Sequence, residues 1–308
     1  MATQVNLLAF SDRSTMQSVA DALESVEVLF HEVEERCSRF LPTSELSLLN
    51  SAPLQGAEVS NITFLILTEA LCAHRFTHGA FDPRVLSDLV RLGYDRTFSA
   101  LATTCSNQFP TSTTPVGSRA PLPPWTPMLN AESNAVVLGD HPLDLGGIGK
   151  GITVRMSAEI LRNATPSFLI EAGGDCYLGG RPLDDTAWKV GIENPWSPER
   201  HVAVLGLVDA GCATSSTRIR RWDHQGRSAH HLIDPRTGLP GGDGLTSVTV
   251  VDEDPAVAEV WSKTLFLCGS HTIESEAEAR GLAAFWVFDN GSYQFSTKIG
   301  EKLTWLST

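Results

Sequence analysis

The sequence predicts an α+β fold, and three observations carry that expectation. Strand-like and helix-like segments alternate irregularly along 308 residues, without the steady strand–helix rhythm of a doubly wound sheet. One long stretch has a strict helical stripe, with Met16, Val19, Leu23, Val26, Phe30, Val33 and Cys37 stepping by three and four. Near the end, "AAFWVFDNGSYQF" places Asn290-Gly291 between two apolar runs, a strong short-range hairpin signal. No internal repeat is visible.

Taken in order, residues 4–9 read as a short strand. The striped helix follows, with Ser14 and Gln17 spaced as a capping box in front of it. A second helix runs from Asn61, an N-cap residue type, to about His78, where Gly79 can stop it. From about 97 to 127 the chain turns rich in Ser, Thr and Pro with no period, and reads as a surface insertion. Beyond it lie short strands, "AVVLG", "SFLIEA", "WKVGI", "VAVLGLV" and "TSVTVV", and helices at 150–162 and 256–268. One domain spanning 1–308 is expected.

Composition excludes several classes. The formal net charge of −13 argues against a broad electrostatic grip on nucleic acid or an anionic membrane. Apolar content of 42% supports an ordinary packed core. Six cysteines without a C-x-x-C pair read as reduced and mostly buried. The start, "MATQVNLLAFSDR", has neither a basic nor an apolar leader segment, so a cytoplasmic location is expected.

Three segments attract chemical interest. "LDLGGIGKG", 143–151, joins a strand to a helix, and glycines at a helix N-terminus let backbone N–H groups approach an anion. It is not a P-loop, because Asp144 and Gly151 stand where Gly and Ser or Thr are needed, nor a dinucleotide fingerprint, because Ile152 replaces the last glycine. "EAGGD", 171–175, ends a strand with two glycines and an acid. "HHLIDPRTG", 230–238, crowds His231, Asp234 and Thr237 into one turn. Spacing alone leads only to an α+β enzyme with a glycine-lined anion site.

Together these blocks resemble the ApbE family, the FAD:protein FMN transferases. "SRFLPTSELSLLN" resembles the family's Ser-Glu-Leu-Ser…Asn segment, "GAFDPRV" its Phe-Asp-Pro, and "LDLGGIGKG" its Leu-Asp-Leu-Gly-Gly-Ile-Ala-Lys-Gly block. "IEAGGD", "WKVGIENP", "CATSS" and "HLIDPRTGLP" follow in the family's order, then "SVTVV" and "AEVWSKTLFLCG", and Met1-Ala2-Thr3 is similar to its opening. The resemblance implies a two-lobed mixed α/β architecture, related to the T-fold, with FAD in the cleft between the lobes and Mg²⁺ on its diphosphate. It implies transfer of FMN from FAD to a threonine of an unidentified acceptor protein, releasing AMP. Ser47 and Asn50 would border the flavin, and Lys150 with Gly147 and its neighbours would hold the diphosphate. Asp82, Gly173, Gly174, Asp175, Thr214, His231, Asp234 and Thr237 would complete the FAD site. His231, whose ordinary pKa lies near neutrality, is the candidate base or orienter, with Asp234 beside it.

The departures sit at the metal. The family carries Asp and Thr four apart on the closing helix as metal ligands, together with a backbone carbonyl before the lysine. Here Gly149 keeps the carbonyl, but the other two positions hold Glu259 and Lys263. Glu ligates Mg²⁺; an ammonium has no lone pair to give. Thr264, five residues from Glu259, points elsewhere. Arg155 and Ser216 stand where the family tends to have Asp and Gly. Lys263 is therefore expected in the metal's place, paired with Glu259 and offering its charge to the phosphates as part of the catalytic group. The alternative is a surface ion pair worth roughly 0.3–0.5 kcal/mol. FAD hydrolysis to FMN and AMP, and catalytically silent FAD binding, remain open beside transfer.

Overall fold

The structure is a computed structural model that describes residues 4–98, 117–183, 186–218, 220–224 and 226–307. Among these the helices are α1 (Met16–Cys37), α2 (Glu45–Ser51), α3 (Asn61–Phe76), α4 (Leu86–Arg91), α5 (Gly149–Arg162), α6 (Pro255–Cys268), α7 (Ile273–Ala279) and α8 (Thr297–Gly300). The first nine strands are β1 (Val5–Ala9), β2 (Ala57–Glu58), β3 (Met128–Asn130), β4 (Ala135–Val137), β5 (Phe168–Ala172), β6 (Asp175–Gly179), β7 (Trp188–Asn194), β8 (Ser197–Leu207) and β9 (Ala210–Ser216). They are followed by β10 (Arg221–His224), β11 (Arg227–His230), β12 (Ile233–Asp234), β13 (Leu239–Pro240), β14 (Leu245–Asp252), β15 (Ala283–Phe288), β16 (Tyr293–Phe295) and β17 (Leu303–Leu306). The described residues fall into two compact units. One lies within Val33–Gly147 and Ser216–Gly242, the other within Thr3–Glu32, Ile148–Ser215 and Asp243–Thr308.

The second unit is layered around a seven-stranded sheet in the order β1-β5-β6-β9-β14-β15-β16. Helices α5 and α6 pack on one face, and the small sheet β17-β8-β7 covers the other. Between the two sheets lies a core that includes Cys176, Leu178, Trp188, Leu205, Cys212, Phe285 and Ile299. Because side chains alternate along a strand, Cys176 and Leu178 enter that core, and Asp175 and Tyr177 turn toward the helices. The pleat of β6 thus sends an acid to the helix side.

The expected Asn-Gly hairpin joins β15 to β16, with Val287 opposite Tyr293 and Gly291 at φ +90°. Two glycines at positive φ, Gly173 at +61° and Gly174 at +95°, make the turn from β5 to β6. That is the reason for glycines in "EAGGD".

The first unit contains α2, α3 and α4 with the small sheets β2-β4-β3, β10-β11 and β12-β13. An aromatic cluster of Tyr94, Trp222, Phe40 and Phe98 packs with Leu89, Leu92 and Ile233.

Several local expectations shift. The stripe of α1 buries Val19, Val26, Phe30 and Val33, but Met16 is exposed at the first turn. The Ser14–Gln17 capping box does not form. Asp12 Oδ1 instead accepts the N–H groups of Ser14 at 2.8 Å and Thr15 at 2.9 Å, and Gln17 donates to Asp21. Ser60, one residue before Asn61, caps α3 by accepting the Thr63 N–H. Of the insertion at 97–127, residues 99–116 lie outside the described residues, as do Met1-Ala2-Thr3 and Cys105. Its later part is anchored, since Trp125 is buried and donates Nε1–H to the Leu138 carbonyl at 2.9 Å. The described cysteines, Cys37, Cys72, Cys176, Cys212 and Cys268, are free, with Cys176 and Cys212 buried and Cys72 exposed.

Candidate active site

In the second unit, four side chains predicted from sequence meet at the first turn of α5. Asp254 caps α6 by accepting the Ala256 N–H at 2.8 Å, Pro255 starts the helix, and Gly269 ends it at φ +72°. The helix is thereby set so that Glu259 points inward, 0% exposed. Gly151 on α5 lies against it. A Cβ there would sit 2.7 Å from Ala256 Cα and from the Pro255 carbonyl oxygen, so only glycine lets the two helices approach this closely. The same approach lets the Gly151 N–H donate to Glu259 Oε2 at 2.7 Å. Glu259 is thus itself an anion at a helix N-terminus, where free N–H groups and the dipole favour it.

Two ammonium groups share the other carboxylate oxygen. Lys150 Nζ donates to Glu259 Oε1 at 2.9 Å, and Lys263 Nζ donates to the same atom at 3.0 Å. Lys150 also donates to Asp175 Oδ2. Both acids are buried, whereas the side chains of Lys150 and Lys263 are 12% and 17% exposed, so the cations are the members of the cluster that reach solvent. A surface i,i+4 pair would expose both partners; this one buries its acid completely.

Electrostatics follow from this arrangement. Burial alone would raise the Glu259 carboxyl, but Lys150, Lys263 and the Gly151 N–H hold it down at about 2. Burial raises Asp175 to about 6, with Lys150 opposing and the charge of Glu259 adding to the rise. Burial would lower Lys150, yet the two carboxylates hold its pKa above the ordinary lysine range.

A divalent cation does not fit this donor set. Three N–H donors occupy the Glu259 carboxylate. The Gly149 carbonyl accepts the Thr153 hydroxyl at 2.6 Å, and Thr264 Oγ1 donates to the Val260 carbonyl at 2.9 Å. Among the described residues no three His, Cys, Asp or Glu side chains are grouped to hold a metal ion.

The neighbouring positions sort by strand parity. Thr214 is exposed and shares a hydrogen bond of 2.9 Å with Thr249. Ser215 turns to the helix side and meets Ser262 of α6 at 2.8 Å, a pairing that the motif did not flag. Arg155 reaches Asp254, the cap of α6, at 2.7 Å, which accounts for a cation where the family tends to have an acid. Gly173 and Gly174 are exposed in their turn, and the Gly174 N–H donates to Glu171.

In the first unit, several predicted site residues are held by other parts of the chain. Asn50 binds both backbone groups of Leu143, donating to its carbonyl at 2.9 Å and accepting its N–H at 2.8 Å. Arg39 donates to the Tyr94 carbonyl at 2.9 Å and pairs with Asp144 at 2.5 Å. Asn50 and Arg39 thus shape the backbone leading to Gly146 and Gly147. Ser47 donates to the Ser38 carbonyl at 3.4 Å. Asp82 is buried in a two-pronged pair with Arg84, and Asp234 makes the same pair with Arg236 two residues on.

The turn bearing His231 and Thr237 depends on residues missed by the motif reading. The Arg119 N–H donates to the Thr237 carbonyl at 2.8 Å, and Arg91 Nη2 donates to the Gly238 carbonyl at 2.9 Å. Buried Asp88 pairs with both arginines, each at 2.9 Å. Gly238, at φ +68°, passes so close that a Cβ would sit 2.5 Å from Asp88 Oδ1. Of the two histidines, His230 is buried and held near 4 by burial and by the charge of Arg221, and it accepts the Leu232 N–H. His231 is half-buried.

Comparison with known proteins agrees with the sequence blocks. A model of the ApbE family matches residues 1–286. The FAD:protein FMN transferase of Haemophilus influenzae is 28% identical, across 99% of this chain and 89% of that protein. The FAD:protein FMN transferase of Vibrio cholerae is 26% identical, across 93% and 84%. Among solved structures, the flavin transferase ApbE from Vibrio cholerae superposes with a TM-score of 0.73 at 24% identity, covering 98% of this chain and 96% of that one. The ApbE protein from Thermotoga maritima gives 0.73 at 20% identity, covering 97% and 94%. The mixed α/β fold expected from the sequence is the fold of those proteins. Sequence and fold together place this chain in the ApbE family.

Proposed function

We propose that the chain is an FAD:protein FMN transferase, with FAD as substrate and a threonine of a second protein as acceptor. The observation that carries this reading is the buried Lys150–Asp175–Glu259–Lys263 cluster, with its cations toward solvent at the first turn of α5. Membership of the family and relatives of that name along nearly the whole chain support it. In the reaction, the threonine oxygen bonds to the FMN phosphorus as that phosphorus loses its bond to the bridging oxygen. AMP departs with the bridging oxygen, and the hydroxyl proton passes to a base. Such a displacement is helped chiefly by placement and by positive charge facing the developing oxyanions. Lys150 and Lys263 supply that charge, and Asp175 and Glu259 hold the two ammoniums in place. His231 is assigned the proton, on motif and chemistry. Asp234, gripped by Arg236, shapes the turn that carries His231 and Thr237.

The test is to incubate the purified chain with FAD and a cell lysate, and to follow AMP by chromatography and protein-bound flavin on a denaturing gel. AMP together with flavin phosphate on a threonine, located by mass spectrometry, is the expected result. AMP with free FMN and no labelled protein would identify a hydrolase instead. Absence of AMP would leave a silent binder and overturn the proposal.

A further inference from the structure

We infer that Lys263 takes the place of a divalent cation, so that this chain grips a diphosphate with the paired ammoniums of Lys150 and Lys263 and needs no metal for it. The inference rests on the functional reading above for its ligand class, but its evidence is the donor set. Both ammonium nitrogens bond one oxygen of Glu259, so they stand side by side at the first turn of α5. Lys263 uses one of its three N–H donors on Glu259 and makes no other hydrogen bond among the described residues, although its charge also acts on Asp175. Its side chain keeps a route to solvent, while Glu259 behind it is sealed. A cation at this place would have to displace two ammoniums from Glu259 and the Thr153 hydroxyl from the Gly149 carbonyl. A phosphate oxygen displaces nothing: it completes the free valences of the lysines, which serve as point charges toward phosphate. Ser262 and Thr264, the residues flanking Lys263, are buried and donate to backbone carbonyls of their own helix, and Ser262 also meets Ser215.

Two probes test this on the full chain. Inorganic pyrophosphate, titrated calorimetrically in EDTA, is expected to bind the wild type. Lys263→Met should weaken that binding about tenfold or more, the loss of one charge-assisted contact. Lys263→Arg, which keeps the charge and the partner, should restore most of it and controls for folding. Mn²⁺ alone, followed by electron paramagnetic resonance, should show no stoichiometric site in the wild type, and Lys263→Thr should create one. Pyrophosphate binding only when Mg²⁺ is present would overturn the inference, as would a wild-type Mn²⁺ site abolished by Glu259→Gln. Neither probe contains flavin. Pyrophosphate binding in EDTA without FAD turnover would therefore defeat the transferase reading and leave this one standing.

Discussion

Replacing Glu259 by Gln changes charge with almost no change of shape, and so isolates what the buried carboxylate contributes. Its oxygens receive Lys150 at 2.9 Å, Lys263 at 3.0 Å and the Gly151 N–H at 2.7 Å, and all three partners are donors. An amide offers one acceptor and one donor. Whichever way it turns, its NH₂ faces either the ammoniums or the Gly151 N–H. The carboxyl's shift from 4.5 to about 2 corresponds to about 3 kcal/mol of preference for the charged form at neutral pH, at about 1.4 kcal/mol per unit. Removing one partner of a buried pair elsewhere costs roughly 3–5 kcal/mol. Urea unfolding of Glu259→Gln at pH 7 is therefore predicted to show a loss of about 3–4 kcal/mol. The added change Lys263→Met should return about 1–2 kcal/mol, because it removes a cation that Gln cannot neutralise. A loss below about 1 kcal/mol for the single change would refute the shared-carboxylate geometry.

The remaining predictions concern packing, titration and the turn. Gly151→Ala places a Cβ against the backbone of Pro255–Ala256 and is predicted to destabilise by about 1–3 kcal/mol in thermal unfolding, with Lys150 displaced from Glu259. Asp175, raised from 3.8 to about 6, binds its proton more tightly folded than unfolded, so its share of stability is full below pH 4 and lost as pH rises through about 6. Asp175→Asn should flatten the pH dependence of unfolding between about pH 4 and 6, and an unchanged slope would contradict the assignment. Glu259 has the opposite sign: its contribution is present above 4.5 and lost as pH falls through about 2. Asp88→Asn, which strips a charge shared by Arg91 and Arg119, is predicted to cost roughly 3 kcal/mol and to raise proteolytic cleavage within 234–238.

The pH behaviour bears on why the cluster exists. At neutral pH, Glu259 gains about as much from its partners as Asp175 loses by being buried beside another acid, about 3 kcal/mol each way. Lys150 is held charged by the same two carboxylates, so the cost of burying Asp175 is set against gains at both Glu259 and Lys150. Buried ion pairs are weak stabilisers in general, so the role of this cluster is sought in what it binds.

Much of this was legible in the sequence, for identifiable reasons. Strong periodicity marked α1, and Asn290-Gly291 marked the β15–β16 hairpin, because both signals are local. Glu259 and Lys263 were readable as neighbours because four residues is one helical turn. The six-residue α4 and seven-residue α2 are too short for a period to emerge, and they escaped notice. Strand parity, not composition, decides that Ser215 rather than Thr214 faces Ser262. The hub at Asp88 joins residues 91, 119, 237 and 238, and no local pattern announces a contact across such separations. Asn50 shows the same limit. Its amide holds the backbone of Leu143, 93 residues away, a contact that its motif did not announce.

The most direct test of the central claim is AMP release from FAD by the purified chain, wild type beside Lys150→Met, with lysate as the source of acceptor. The account predicts AMP from the wild type and a fall of about 10²–10³ in the variant, the usual effect of removing one group that faces the developing charge. Equal AMP release from both proteins, or none from the wild type, would contradict it.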